Sequence, residues 1–502
     1  MSDLRPTAVI VLAAGEGTRM KSTTPKVLHT IGGRSLVAHA IRAARGTGPQ
    51  HLAVVVRHER DRVAEHVAQV DPEAVIADQD EVKGTGRAVE CALEALPPGL
   101  TGTIVVTYGD VPLLTADTLS GLVAAHTASG SAVTVITSTL SDPTGYGRVL
   151  RGAGGHVEAI VEQKDATDEQ RAIREVNSGL YAFDAVVLRQ ALAEVGTDNA
   201  QGEKYLTDVV AIARSRGLAV DAHLVADLWQ TEGVNDKAQL ARLGAELNRR
   251  IVDQAMRDGA IVIDPATTWM DSDVTVGPDT VVHPNTQLLG ATTVGRDCVV
   301  GPDTTLTDTE VGDGASVVRT QAELAQIGPD ASVGPFSYLR PGTVLGRAGK
   351  IGGFVETKNA HIGDGAKVPH LTYCGDATIG EGANIGAGTI FANYDGVTKG
   401  HTDVGRWSFV GSNSVVVAPR TIGDGAYVAA GSAVVSDVAP GQLAVTRAQQ
   451  RNIDGWVARR RAGTKTDEAA RTAVDAEAAL AGEAGAVVEN DRLGSDEKGA
   501  QA

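Results

Sequence analysis

Aromatic side chains are nearly missing from this sequence, at 3% of 502 residues, whereas glycine is abundant at 59. That balance disfavours a core of large rings and suits a fold of small side chains and many turns. Cysteine is as sparse. Cys91, Cys298 and Cys374 lie far apart with no CxxC pair, which argues against a disulfide framework or a zinc site and fits a reducing cytosol. Positive charge is in deficit: a net charge of −17 argues against nucleic-acid binding and against a polybasic membrane contact, although a few placed cations suffice for small anionic substrates. No apolar run approaches the ~18 residues of a membrane span. The first, 8–14, is of strand length and ends at Gly15, and no signal peptide is recognisable. A cytoplasmic protein is expected.

What is present divides the chain into regions. Residues 1–235 alternate Val/Ile-rich runs at 8–12, 52–56, 104–106 and 133–136 with helical patterns. Such runs predict parallel strands buried on both faces of an α/β layer fold, with its site at their carboxyl ends. Leu240, Leu243, Leu247 and Ile251 recur at steps of three and four, predicting one amphipathic linker helix over 236–258. From 259 to 457 a period of six takes over. It runs through Val276, Val282, Leu288, Val294, Val300 and Leu306, then from Ile327 to Ile351, then from Val404 to Val434. Neither a helix nor a plain sheet has that period, but a triangular coil does, with an aliphatic residue pointing inward on each side and Gly, Asp or Asn at the corners. The expected fold is a parallel β-helix. Two breaks, Ile351 to Ile362 and Phe391 to Val404, predict extruded loops; the second holds Asn393, Tyr394, Asp395 and Lys399. The remainder, 458–502, reads as an acidic tail, disordered or a fraying helix, with nine acids and four bases from Gly463 onward.

The strand ending at Leu12 runs into Ala13, Ala14, Gly15, Glu16, Gly17, Thr18, Arg19 and Met20, then Pro25 and Lys26. A glycine-rich turn after a buried strand lets backbone N–H groups approach phosphates, and Arg19 and Lys26 add cations for a triphosphate. The string is neither a Walker A loop nor GxGxxG. It resembles the signature of the sugar-1-phosphate nucleotidyltransferases, a family with a Rossmann-like fold. The match extends to Gln79 with Gly84 and Thr85, which look like the base-reading element, and to Tyr108, Gly109 and Asp110. Gly147, Glu162, Asn177 and Asn235 look like sugar-binding and closing motifs. The resemblance implies Mg²⁺ on Asp110 and the Asn235 carbonyl, with Glu162 and Asn177 on sugar hydroxyls and the acetamido group. Lys83 and Arg87 depart from the family pattern, which has an apolar residue and His there. The chemistry suits these residue types: a sugar phosphate is already an anionic nucleophile, so catalysis needs alignment and charge neutralisation rather than a general base.

The hexapeptide region carries Arg340, Lys358, His370, Tyr373 and Asn384 among its aliphatic positions. Eighteen residues make one turn of a three-sided coil, so Arg340 and Lys358 are expected to stack in successive coils and to offer two cations to a phosphate. An unperturbed imidazole titrates near ~6.5 and can accept an amine proton. Together with the domain order, this resembles the bifunctional GlmU family over residues 7 to about 457. The resemblance implies a left-handed β-helix and two activities: N-acetylation of glucosamine 1-phosphate by acetyl-CoA, then uridylyl transfer from UTP to N-acetylglucosamine 1-phosphate, feeding cell-wall precursor synthesis. It makes His370 the general base, puts Arg340, Lys358, Tyr373 and Asn384 on glucosamine 1-phosphate, and puts Ala387, Asn393, Tyr394, Ser412, Ala430 and Arg447 on acetyl-CoA. It also implies a homotrimer. Trp456, past the last coil, reads as a packing residue or as a cover for a neighbouring site. Two rivals remain: nucleotidyl transfer alone with a structural β-helix, and a non-enzymatic scaffold, against which Asp110 and Lys26 both speak.

Overall fold

The computed structural model describes residues 5–152, 155–199 and 201–493. Two compact units are distinguished, 1–445 and 446–502.

The first half of the larger unit is a mixed sheet. Its main path runs Val220–Leu224, Val133–Thr139, Glu175–Asp184, Thr103–Tyr108, Ala8–Leu12, His51–Val56, Val75–Asp78. All five residues of Ala8–Leu12 are buried, as a central strand covered by helices on both faces requires. The strands read from Val/Ile runs share one direction. The exception lies between two of them: Glu175–Asp184 runs antiparallel to both Thr103–Tyr108 and Val133–Thr139. A hairpin, Arg148–Arg151 with Val157–Val161, hangs from that antiparallel strand. Ala8–Leu12 is flanked on one side by His51–Val56 and on the other by Thr103–Tyr108. The order therefore reverses at this strand, which opens a crevice beyond its carboxyl end.

Lys237–Arg257 is one helix, N-capped by the Asp236 side chain. Its stripe serves two cores in turn. Leu240, Leu243 and Leu247 pack with Met20, Ile31 and Leu36, while Ile251, Val252 and Met256 pack against the β-helix. Between them, buried Asn248 donates to the Thr268 carbonyl at 2.8 Å and accepts from the Met270 N–H at 2.9 Å, so the polar seam is satisfied.

From Ile261 the chain winds as a three-sided, left-handed parallel β-helix, one side an eleven-stranded sheet and the others a seventeen-stranded sheet. The inward ladder is longer than the period of six revealed. Val311, Val317 and Ala322 continue it across the first gap, and Thr357, Val368, Cys374, Ile385 and Phe391 across the second, all buried. The expected loop between Ile351 and Ile362 does not exist. Thr357, fully buried, takes the inward position there; its hydroxyl and that of Thr343 share a hydrogen bond of 2.9 Å, and Thr357 pairs with Cys374 seventeen residues on. A coil one residue short, with a hydroxyl inward, is what broke the aliphatic count. The other break is a true extrusion. Ile379 pairs with Val404, and the extra residues form a tight loop bridged between Tyr394 and Lys399. Inside it, the Asp395 carboxylate accepts from the N–H groups of Val397 at 2.8 Å and Thr398 at 2.7 Å.

In the smaller unit, Trp456–Arg460 and Lys465–Leu493 are helical. The Arg461 guanidinium lies 5.7 Å from the centroid of the half-exposed Trp456 ring.

Candidate active sites

A cavity of about 430 Å³ occupies the crevice beyond Ala8–Leu12. Leu12, Ala13, Ala14, Gly15, Lys26, Gln79, Gly84, Thr85, Tyr108 and Asp110 line it. Two carboxyl-end contacts shape the floor: the Ala13 N–H donates to the Val55 carbonyl and the Gly109 N–H to the Leu12 carbonyl, each at 2.9 Å. At one end the Lys26 ammonium meets the Asp110 carboxylate at 2.5 Å. The Val234 N–H donates to the Asp110 carbonyl at 2.9 Å, which brings the next residue, Asn235, alongside. The Asn235 side-chain oxygen accepts from the Arg19 guanidinium at 2.8 Å. Two hard oxygens are thus each held by a cation.

A further wall is built by the hairpin and the antiparallel strand. A side chain on Gly147 would stand 3.4 Å from a Glu162 oxygen and 3.6 Å from Asn177, so these three meet at one wall. The Asn177 side chain accepts from the Gly179 N–H at 2.8 Å. Burial raises the Glu162 pKa, and the charges of Asp165 and Asp208 raise it further. The Tyr108 phenol, buried beside Asp110 and Glu162, is pushed up as well.

The turn at Gly84 is closed by a segment distant in sequence. Gly84 has a φ of +115°, and a β-carbon there would lie 2.2 Å from the Lys204 carbonyl oxygen. The Gly86 N–H donates to that carbonyl at 2.8 Å, and the Thr85 hydroxyl accepts from the Leu206 N–H at 3.1 Å. This loop brings Glu203 to the cavity, a residue that sequence reasoning missed because it lies far from the glycine-rich motif it meets. Arg57 was also missed. It follows directly on the strand His51–Val56, and the strand-end rule could have found it. Of the two departures from the family pattern, Lys83 lines the cavity, whereas Arg87 is drawn away into ion pairs with Asp80, Glu90 and Glu94.

On the β-helix, Leu339 pairs with Thr357, so Arg340 and Lys358 stand in register on successive coils, undisturbed by any insertion. The extruded loop adds a third cation that was not assigned. The Lys399 ammonium, and after it Arg340, lowers the Lys358 pKa. Arg340 also meets Glu356 at 3.0 Å. Beside this cluster, the Asn393 amide donates to the Asp376 carboxylate at 2.5 Å and lies 3.4 Å from the Tyr373 hydroxyl.

His370 stands exposed around the neighbouring corner, in a cavity of about 530 Å³ with Phe354, Leu371 and Ala387. Ala387, Ser412 and Ala430 form one corner column: the Asn413 N–H donates to the Ala387 carbonyl and the Gly431 N–H to the Ser412 carbonyl, each at 2.8 Å. Tyr394 is exposed on the loop. Asn384 is not brought to the cations. It pairs with Lys367 at the other edge of the face, three residues and about 10 Å along the strand from His370. Arg447 lies in the smaller unit.

No helix among the described residues is long and apolar enough to cross a membrane. Residues 9–177 match the MobA-like NTP transferase domain. Near-full-length relatives are each named bifunctional protein GlmU. That of Pseudarthrobacter chlorophenolicus is 62% identical over 94% of this chain and 96% of its own. That of Corynebacterium glutamicum is 58% identical over 93% and 97%, and that of Mycolicibacterium vanbaalenii 58% over 92% and 94%. With a crevice at the carboxyl ends of the sheet in one domain, a cation cluster on the β-helix in the other, and these near-full-length relatives, the chain belongs to the GlmU family of bifunctional proteins.

Proposed function

We propose that the chain makes a nucleotide sugar in two transfers at two sites. In the β-helix, glucosamine 1-phosphate is held by its phosphate on Arg340, Lys358 and Lys399. The His370 imidazole takes a proton from its amine, the amine attacks the thioester of acetyl-CoA, the C–S bond breaks, and the thiol leaves as an amide forms. The column of Ala387, Ser412 and Ala430, with Asn393 and Tyr394, takes the acetyl-CoA arm. In the N-terminal domain, the phosphate oxygen of N-acetylglucosamine 1-phosphate attacks the α-phosphorus of UTP and pyrophosphate leaves. Arg19, Lys26 and the backbone at Gly15 neutralise and align the triphosphate, while Glu162 and Asn177 orient the sugar. The oxygens of Asp110 and Asn235 suit Mg²⁺, a hard ion that adds charge neutralisation when bound.

The observation that carries this reading is the pairing, in one chain, of the Lys26–Asp110 crevice with the Arg340–Lys358–Lys399 cluster. The division of the acetyltransfer residues between two edges of one face supports a homotrimer, in which a second copy supplies the missing edge. Three free, buried thiols are compatible with a reducing cytoplasm.

The test is a coupled assay with glucosamine 1-phosphate, acetyl-CoA, UTP and Mg²⁺, following thiol and pyrophosphate separately and omitting each substrate in turn. Thiol release without UTP is expected, as is pyrophosphate release that needs acetyl-CoA unless N-acetylglucosamine 1-phosphate is supplied. Pyrophosphate without thiol under any condition would reduce the β-helix to a scaffold.

A further inference from the structure

The cations of the first site differ in their commitments. Lys26 is taken by Asp110 and Arg19 by Asn235. Arg57 and Lys83 also line the cavity or its rim, yet among the described residues no hydrogen bond or ion pair holds either side chain. On that side Asp80, which also feels the Arg57 charge, is held by Arg87 at 2.7 Å, and Glu203 lines the same cavity.

Their place in the sheet says which part of the nucleotide they meet. Val55 and Val56, just before Arg57, accept from the N–H groups of Ala13 at 2.9 Å and Gln79 at 3.0 Å. Arg57 therefore emerges between the Ala13–Ala14 turn and Gln79. Lys26 and Asp110 mark the opposite end, since Thr103–Tyr108 lies on the other side of Ala8–Leu12. Lys83 immediately precedes Gly84, next to the same glutamine. The Gln79 amide spends both hydrogens on backbone carbonyls, Val82 at 3.0 Å and Gly84 at 3.1 Å. Its orientation is thereby fixed, and only its oxygen remains to read a base.

We propose that Arg57 and Lys83 are base-specificity residues: two donors flanking the Gln79 acceptor, matched to a pyrimidine edge with a carbonyl on each side of a ring N–H. Uracil presents that edge. Cytosine presents an acceptor at the ring nitrogen and an amino group beside it, so it would set lone pair against the Gln79 oxygen and N–H against a cation. A site built around donors discriminates because a mismatched base leaves them unpaired. This rests on the nucleotidyl-transfer reading above.

The experiment uses the full chain and the variants Arg57→Ala and Lys83→Ala. Pyrophosphate release with N-acetylglucosamine 1-phosphate is measured with UTP and with CTP, and equilibrium binding with UDP and with CDP. The unaltered chain is expected to prefer the uracil nucleotide in both. Each variant should lose about tenfold or more in kcat/KM for UTP, mainly through KM, while CTP changes less than twofold, so that the UTP/CTP ratio collapses. Thermal stability and acetyltransfer should stay unchanged, since neither side chain holds the fold. An equal loss on UTP and CTP would assign these cations to the triphosphate and overturn the proposal, as would an unchanged UTP value. If the chain bound UDP over CDP through these residues but released no pyrophosphate, the transfer reading would fall and the base reading would stand. Binding of neither diphosphate would end both.

Discussion

Gly84→Ala is the sharpest perturbation the first domain offers. The residue combines φ of +115° with ψ of 156°, a region that is essentially glycine's own and costs other residues ~1–3 kcal/mol. Its added β-carbon would stand 2.2 Å from the Lys204 carbonyl oxygen and 2.6 Å from the Lys204 nitrogen. These are backbone atoms, so no rotamer relieves the clash; the loop must shift, at the ~1–3 kcal/mol typical of overpacking. Together the terms suggest about 3 kcal/mol, or a fall in Tm of roughly 6–12 °C for a domain of this size. Function should suffer with stability, because Gly84 also accepts from the Gln79 amide and the displaced loop releases the Thr85–Leu206 contact. KM for UTP should rise while acetyltransfer persists. Gly99→Ala is the control: φ there is +74°, but nothing lies within 4 Å of the added carbon, so it should cost about 1 kcal/mol and leave KM alone. Thermal unfolding of both variants beside the two transfer assays decides the matter. If Gly84→Ala is no worse than Gly99→Ala, the close approach of Lys204 is not what requires glycine.

Asp110→Ala should cut pyrophosphate release at least ~10²-fold and leave thiol release intact, and His370→Ala should do the reverse at ~10²–10⁴-fold; loss of both activities in either variant would contradict independent sites. Glu162 should set an acid limb. Burial, with Asp165 and Asp208, raises its pKa, so the carboxylate that accepts sugar hydroxyls is lost on acidification at a higher pH than for an ordinary glutamate. The kcat/KM for N-acetylglucosamine 1-phosphate should fall through that range, and Glu162→Gln should give a low value without the limb; an unchanged limb would assign it to another group. Asp71 sits at 2.5 Å from Arg45, and hydrogen bonding from that guanidinium lowers its pKa. Its contribution is therefore present above the ordinary aspartate value and is lost as pH falls through the depressed one. Asp71→Asn should cost about 1–2 kcal/mol at pH 7 and progressively less below pH 4, as urea titrations at the two pH values would show.

The crevice was legible because its chemistry is local in sequence: Leu12 to Lys26, and Tyr108 to Asp110, follow strand ends whose buried Val/Ile runs announce them. Glu203 was not, since Lys204 meets Lys83 and Gly86 through backbone bonds that no side-chain pattern records. The antiparallel strand Glu175–Asp184 was missed for a related reason, as direction leaves no mark on an apolar run. In the β-helix the aliphatic period revealed the coil but hid its polar companion. Buried Thr286, Thr292, Thr389 and Ser414 each donate to a carbonyl three residues back at 2.7 Å, a ladder of satisfied hydroxyls that sequence alone cannot tell from a solvated corner. Thr357 is that hydroxyl chemistry displaced to an inward position, and so it read as a gap.

The two domains acquire sites by different physical routes, which explains why one solenoid can carry an enzyme without losing its regularity. In the sheet domain the crevice follows from strand order and could not be moved without rewiring the topology. In a solenoid each coil contacts only its neighbours, so a coil can lengthen wherever the register is recovered. Here it is recovered at once: Ala377 pairs with Thr402 and Ile379 with Val404, and the same two positions go on to pair with Arg420 and Ile422 at the ordinary spacing. The intervening loop closes on its own bonds, Gly400 donating to the Asn393 carbonyl at 2.8 Å and Thr398 to Asp395, so closure costs little. What the extrusion adds is Lys399 beside Lys358, together with the Asn393–Asp376 contact. A flat coil face could present two cations by stacking alone. The third, brought in from a loop, is what turns a row of charges into a cluster able to surround a phosphate.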